Sequence, residues 1–106
     1  MNNDTAKAKE PFSYQDDPIP GHTYALTWSP AKCPDFSVIS IVDRDTGHAA
    51  AFDYGNLYDY RSQALRVVAL ASKYNKAPIT MDPTGIGGPL VEQLRALGVD
   101  VLTKVL

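Results

Sequence analysis

Asp82 is the residue of this chain best placed to do chemistry. It ends the short apolar run Ile79-Thr-Met-Asp82 and precedes the turn Pro83-Thr-Gly-Ile-Gly-Gly88. Open α/β sheets gather their ligands at the C-terminal ends of strands. A carboxylate there is an oxygen donor of the kind that hard divalent cations prefer. The same aspartate also has a plain use, as a turn residue or a cap ahead of the next helix. Glycines in front of a helix can cradle a phosphate. No Lys-Ser/Thr follows these, so the run is not a P-loop, and its spacing does not match a dinucleotide fingerprint. It reads as a structural turn that lets the helix pack closely on the sheet.

The remaining reactive side chains have simpler readings. His22 and His48 are far apart in sequence, with no second ligand beside either, which fits surface histidines. Cys33 is the only cysteine; it sits next to Lys32, which would lower its pKa slightly, but no His-Asp arrangement marks it as a nucleophile. Tyr54, Tyr58, Tyr60 and Tyr74 form a group that either stacks bases or packs a helix face; the helical spacing favours packing.

The elements that must position these residues follow from the local pattern. Residues 1–20 are rich in Asn, Asp, Lys and Pro, and Pro11, Pro18 and Pro20 discourage regular structure, so a flexible or extended arm is expected. Residues 21–106 then form one domain. His22–Trp28 is β-prone, and Phe36–Val42 is rich in β-branched residues. His48–Tyr54 follows the turn chemistry of Asp43-Arg-Asp-Thr-Gly47, which predicts an antiparallel hairpin. Tyr60, Ala64, Val67, Val68, Ala71 and Tyr74 recur at helical spacing. Ile79–Asp82 is a short buried-type strand. Pro89 suits the first turn of a second helix, whose stripe is Leu90, Val91, Leu94 and Leu97, with Gly98 as its stop. Val99–Leu102 is the last strand. The order β-β-β-α-β-α-β predicts an α/β fold with a mixed five-stranded sheet and two crossover helices.

Composition narrows the field. With 106 residues, 44% hydrophobic and 21% charged, the chain has the make-up of one ordinary globular domain. No stretch approaches the ~20 apolar residues of a membrane span, and the polar N-terminus is not a secretory signal. One cysteine gives no sign of an oxidising compartment, so a cytoplasmic location is the default expectation. The net charge is -2, and the ten Lys and Arg residues are scattered. A stand-alone nucleic-acid binder usually carries a basic surface. Any contact with DNA is therefore expected to be weak, or to need a metal or further protein.

Two stretches carry a family resemblance. Tyr24-Ala-Leu-Thr-Trp-Ser-Pro-Ala-Lys-Cys-Pro-Asp-Phe-Ser37 resembles the opening of the nuclease domain of the phage terminase large subunit, where a Pro-Ala pair follows an aspartate. Met81-Asp-Pro-Thr-Gly-Ile-Gly87 resembles that family's second signature, and Leu97-Gly-Val-Asp-Val101 fits the segment after it. The resemblance runs in order from about His22 to Leu102. It implies an RNase H-like fold and hydrolysis of phosphodiesters assisted by two divalent ions, Mg2+ or Mn2+. It also implies viral double-stranded DNA, a terminase ATPase and the packaging machinery of an infected bacterial host as partners.

The same resemblance assigns roles residue by residue. Asp82 matches the family's second metal-binding acid. Ser29 stands where the first acid is expected, and a neutral hydroxyl is a poor ligand for a hard dication. Asp35 is a substitute ligand, or else it starts the second strand and caps the loop. The third acid would come after the last strand, so the domain reads as truncated. With two ligands missing, the isolated chain is expected to be inactive or weak, with no ion bound in the limiting case. Two other readings stay open: a non-catalytic RNase H-like binding or assembly module, and a resolvase-like dimeric nuclease. An exposed apolar patch is expected near Val99–Leu102 and Val105-Leu106, and a homodimer could form through this C-terminal edge.

Overall fold

The structure, a computed structural model, describes residues 12–30, 37–55 and 59–105. Among these residues six strands form a single mixed sheet, with two helices packed on it. The strands are β1 (Phe12–Gln15), β2 (Tyr24–Ser29), β3 (Ser37–Asp43), β4 (Ala49–Gly55), β5 (Ile79–Met81) and β6 (Val101–Thr103). The helices are α1 (Tyr60–Lys73) and α2 (Gly87–Ala96). The sheet order is β1-β4-β3-β2-β5-β6.

The β2-β3-β4 meander forms as the β-branched runs predict. β2 pairs antiparallel with β3, and β3 with β4. The hairpin turn is closed by the Gly47 N–H donating to the Asp43 carbonyl at 2.7 Å. β5 lies parallel to β2, and β6 parallel to β5. Each of those joins needs a crossover, which α1 and α2 supply. Both crossovers run the same way across the sheet, and right-handed connections of that kind put both helices on one face.

That face holds the core. Tyr24, Leu26 and Trp28 of β2, Ile39 and Ile41 of β3, and Ile79 and Met81 of β5 point into it and are buried. They meet Ala64, Val67, Leu70 and Ala71 of α1 and Leu90, Val91 and Leu94 of α2. The alternate residues of the strands lie on the other face, which no described element covers.

The sheet has one strand more than the sequence pattern implies. β1 falls inside the expected arm and pairs antiparallel with β4, Phe12 opposite Tyr54 and Tyr14 opposite Phe52. The Tyr14 hydroxyl donates to the Ala49 carbonyl at 3.2 Å, and the Asp16 N–H to the Ala50 carbonyl at 2.8 Å. All four β1 residues are exposed, so no hydrophobic alternation marks them. Long-range pairing creates this strand, and Pro18 and Pro20 fall outside it.

Other boundaries moved by a residue or two. α1 stops at Lys73, and Asn75 and Lys76 take left-handed backbone angles after it. α2 begins two residues ahead of Pro89. Leu97, expected in its apolar stripe, lies past the last helical residue and is exposed. Gly98 has φ of +89°, the left-handed stop anticipated for it. Tyr74 is buried edge-on against Tyr24, with ring centroids 5.2 Å apart, and Tyr60 packs on the core rim. Tyr54 instead lies on the uncovered face, and Tyr58 falls outside the described residues. Among the described residues, no helix is long and apolar enough to cross a membrane.

Candidate metal centre

Because β2 and β5 are parallel neighbours, their C-terminal ends finish together. Thr27 lies opposite Thr80, so two residues further on Ser29 comes level with Asp82. The two line one cleft of about 230 Å³ with Trp28, Pro30, Thr84 and Gly87. Its floor is firm: Trp28 is fully buried, and its indole N–H donates to Gln63 Oε1 on α1 at 3.2 Å.

The turn after β5 holds the Asp82 carboxylate. Asp82 Oδ1 accepts from the Thr84 backbone N–H at 2.8 Å and from the Thr84 hydroxyl. Gly85 takes φ of +60°, which turns the chain back into α2. Gly87 is required for a different reason. A Cβ at this position would stand 2.0 Å from the Asp82 carbonyl oxygen. The N-terminus of α2 thus abuts the backbone of Asp82, and only a glycine permits the approach. The glycine-rich run is a packing device here, as the sequence reading has it.

Ser29 and Asp82 are brought together, and Asp35 lies outside the described residues. Among the described residues that line the cleft, Asp82 is the only acid. One carboxylate and one hydroxyl make part of a ligand set for a single hard cation. Among the described residues this set falls short of a two-ion centre, which needs carboxylates shared between the ions.

A second group of donors was not legible in the sequence. His22 Nδ1 lies 2.8 Å from Asp43 Oδ2 and 3.8 Å from Asp45 Oδ2. This corrects the reading of His22 as a solitary surface histidine: antiparallel pairing of β2 and β3 sets it beside two acids. The donor atoms lie within 4.8 Å of one another, a spacing that could hold a metal ion. Hydrogen bonds already engage them, since Asp43 Oδ1 accepts the Asp45 N–H at 2.9 Å. Burial pushes the Asp43 carboxyl up, but His22 and the N–H groups of Asp45 and Thr46 outweigh it, so its pKa lies below the ordinary 3.8. The group staples the start of β2 to the β3–β4 turn, at the opposite end of β2 from Ser29. His48 is exposed, and Cys33 and Lys32 lie outside the described residues.

One further contact ties α1 to the sheet, and another caps the helix itself. Arg66 Nε of α1 donates to Asp53 Oδ2 of β4 at 2.5 Å. Asp59 caps α1, accepting the Ser62 N–H at 2.7 Å, and that bond holds its carboxyl below the usual range.

The C-terminal end of the sheet is apolar and open. Leu102 and Val105 are exposed. Beside them a groove of about 630 Å³ is lined by Val68, Ala71, Ala77, Pro78, Val99 and Leu102, among others. β1 lies on the far edge of the sheet and does not cover it.

Comparison with known proteins agrees with this geometry. No protein-family model matches the chain. It is 33% identical over 85 residues to the terminase large subunit of Thermus phage G20c, which covers 80% of this chain and 18% of that protein. The crystal structure of the large terminase nuclease from thermophilic phage G20c with bound magnesium superposes with a TM-score of 0.78 at 31% identity. That match covers 86% of this chain and 48% of the other. The zinc-bound form of the same nuclease gives a TM-score of 0.77 at 30% identity, over 86% of this chain and 53% of that one. The chain thus spans about half the length of the solved nucleases and under a fifth of the curated relative. Over that shared stretch, in both sequence and fold, the chain is related to the RNase H-like nuclease domain of the phage terminase large subunit.

Proposed function

We propose that this chain is the sheet half of a terminase-type nuclease domain and that, by itself, it cuts DNA weakly or not at all. The observation that carries the reading is the pairing of Ser29 and Asp82 in one cleft at the ends of parallel strands. Asp82 would hold a divalent ion there, Mg2+ or Mn2+, which in such nucleases activates water and stabilises the leaving oxygen. Thr84 fixes the orientation of the Asp82 carboxylate. Ser29 accounts for the expected weakness, and Asp35 or a partner chain would have to supply further oxygen ligands. Residues 21–106 are the nuclease-type unit in this reading, and residues 1–20 an arm that adds β1 to its edge. Viral double-stranded DNA, a packaging ATPase and the cytoplasm of an infected host are the proposed setting. Association through the β6 edge is supported by the exposed Leu102 and Val105 and the groove beside them.

The test is nicking of supercoiled plasmid in Mn2+ by the unaltered chain, Ser29→Asp, and Ser29→Asp combined with Asp82→Asn. The expected result is little or no nicking by the first, gain by the second and loss in the third. Nicking by Ser29→Asp that survives the added Asp82→Asn would refute the assignment. A second reading, a binding or assembly module without catalysis, is favoured by the single carboxylate among the described residues of the cleft. It predicts no nicking and no Mn2+ binding in any of the three.

A further inference from the structure

Gln63 is a polar residue in an apolar place. It lies on the core-facing stripe of α1 with Ala64, Val67, Leu70 and Ala71, and it is buried as they are. A leucine or methionine of similar volume would bury more apolar surface at that position. The amide has a definite task there: Gln63 Oε1 accepts the indole N–H of Trp28 at 3.2 Å. Trp28 is wholly buried, yet it lines the cleft and directly precedes Ser29. The acceptor stands on a firm base. Asp59 caps the first turn of α1, and its carbonyl accepts the Gln63 backbone N–H at 2.9 Å.

The cleft opens where β2 and β5 part. Their pairing runs through Leu26–Ile79 and Thr27–Thr80 and stops there. On the β5 side, Asp82 is held by Thr84 and by the close approach of Gly87. On the β2 side, Ser29 pairs with Val38 of β3, which lies away from β5. Strand pairing therefore leaves the height of Ser29 relative to Asp82 to the packing beneath Trp28.

We propose that Gln63 is a positioning residue for the cleft: it fixes the Trp28 ring and, through it, the place of Ser29 opposite Asp82. A hydrogen bond is directional, whereas apolar packing is not, so the amide selects one orientation of the indole. Removing the acceptor leaves a buried N–H unpaired, and the ring must turn or shift to find another partner. Ser29, one residue on, moves with it. Gln63 lines no part of the cleft itself and acts only at one remove. Its role toward a metal rests on the reading of that cleft as a metal site; its role toward Ser29 is a matter of geometry alone.

The test is Gln63→Met, close in volume but without the acceptor, read by NMR and by Mn2+ titration of the full chain. Trp28 is the only tryptophan, so its indole N–H gives one unambiguous resonance. That resonance should shift, and the backbone amide of Ser29 should shift with it. In the Ser29→Asp background, Gln63→Met should weaken Mn2+ binding about tenfold, the low end for groups that orient a ligand from outside. Ile41→Val, a core change away from the cleft, should leave the Ser29 amide and Mn2+ binding unchanged. Where Gln63→Met alone does not fold, Gln63→Met with Trp28→Phe leaves no donor unpaired and takes its place, with the same loss expected. An indole shift with the Ser29 amide and Mn2+ affinity unmoved overturns the proposal, since Gln63 then only satisfies the indole. Equal losses in Ile41→Val overturn it as well, by showing general loosening. Failure of the cleft reading shows separately, as no Mn2+ binding by Ser29→Asp itself. The Ser29 amide of the otherwise unaltered chain then decides, and its indifference to Gln63→Met overturns the positioning role.

Discussion

At the scale of single residues, Gly87 and Asp43 do more than their types announce. Gly87→Ala would drive a methyl into the Asp82 carbonyl. We expect it to cost about 3 kcal/mol of stability by denaturant unfolding, in the range of strong overpacking. It should also move Asp82, so Mn2+ binding should fall even where the fold survives. Asp43 gives a pH signature. Its carboxyl is held below 3.8 in the fold, so its contribution is present above that value and is lost as pH falls through the folded pKa. Asp43→Asn should therefore melt lower than the unaltered chain at pH 7. The gap should close as pH falls below 3.8 and through the folded pKa, where both chains come to carry a neutral side chain. An unchanged gap in acid would count against the staple. The place of Asp82 at the end of β5 was legible because strand, turn and helix signals bracket it within a few residues. The His22–Asp43–Asp45 group was not, because it exists only once β2 and β3 pair.

At the scale of elements, local pattern was enough for the meander and both helices, and tertiary pairing decided the rest. Helical spacing from Tyr60 to Tyr74 marks α1 correctly, and its ending is set by Tyr74 turning into the core. The Tyr74 hydroxyl donates to the Asp16 carbonyl, tying α1 to the segment after β1. Tyr74→Phe should cost about 1 kcal/mol, the usual worth of one hydrogen bond. Burial raises the Tyr74 pKa above 10.0, so absorbance titration should show this ring ionising after the exposed tyrosines. β1 could not be read from FSYQ, because its partners lie in β4 and its side chains lack a buried face. Removing residues 1–15 should leave the helix signal in circular dichroism intact. The β4 edge would then be open, and the shortened chain should aggregate at lower concentration.

At the scale of the whole molecule, charge and topology pull in different directions. The topology sets Ser29 and Asp82 together in one cleft, as the proposed nuclease site requires, while a net charge of -2 gives DNA little to hold. Duplex DNA in physiological salt should bind this chain no more tightly than about 100 µM, weaker than a basic domain achieves non-specifically. A tight, salt-insensitive complex would contradict that. The strand order has a further consequence, which concerns time. β2, β3 and β4 are consecutive in sequence and pair in that order, whereas β5 reaches β2 only after the chain has passed through α1, and β1 reaches β4 across most of the meander. Contacts close in sequence form before those that must close a long loop. The three-stranded meander should therefore be the nucleus of folding, with β5 zipping onto it late. The cleft between β2 and β5 is then among the last features to form, and substitutions in β5 should change the unfolding rate far more than the folding rate.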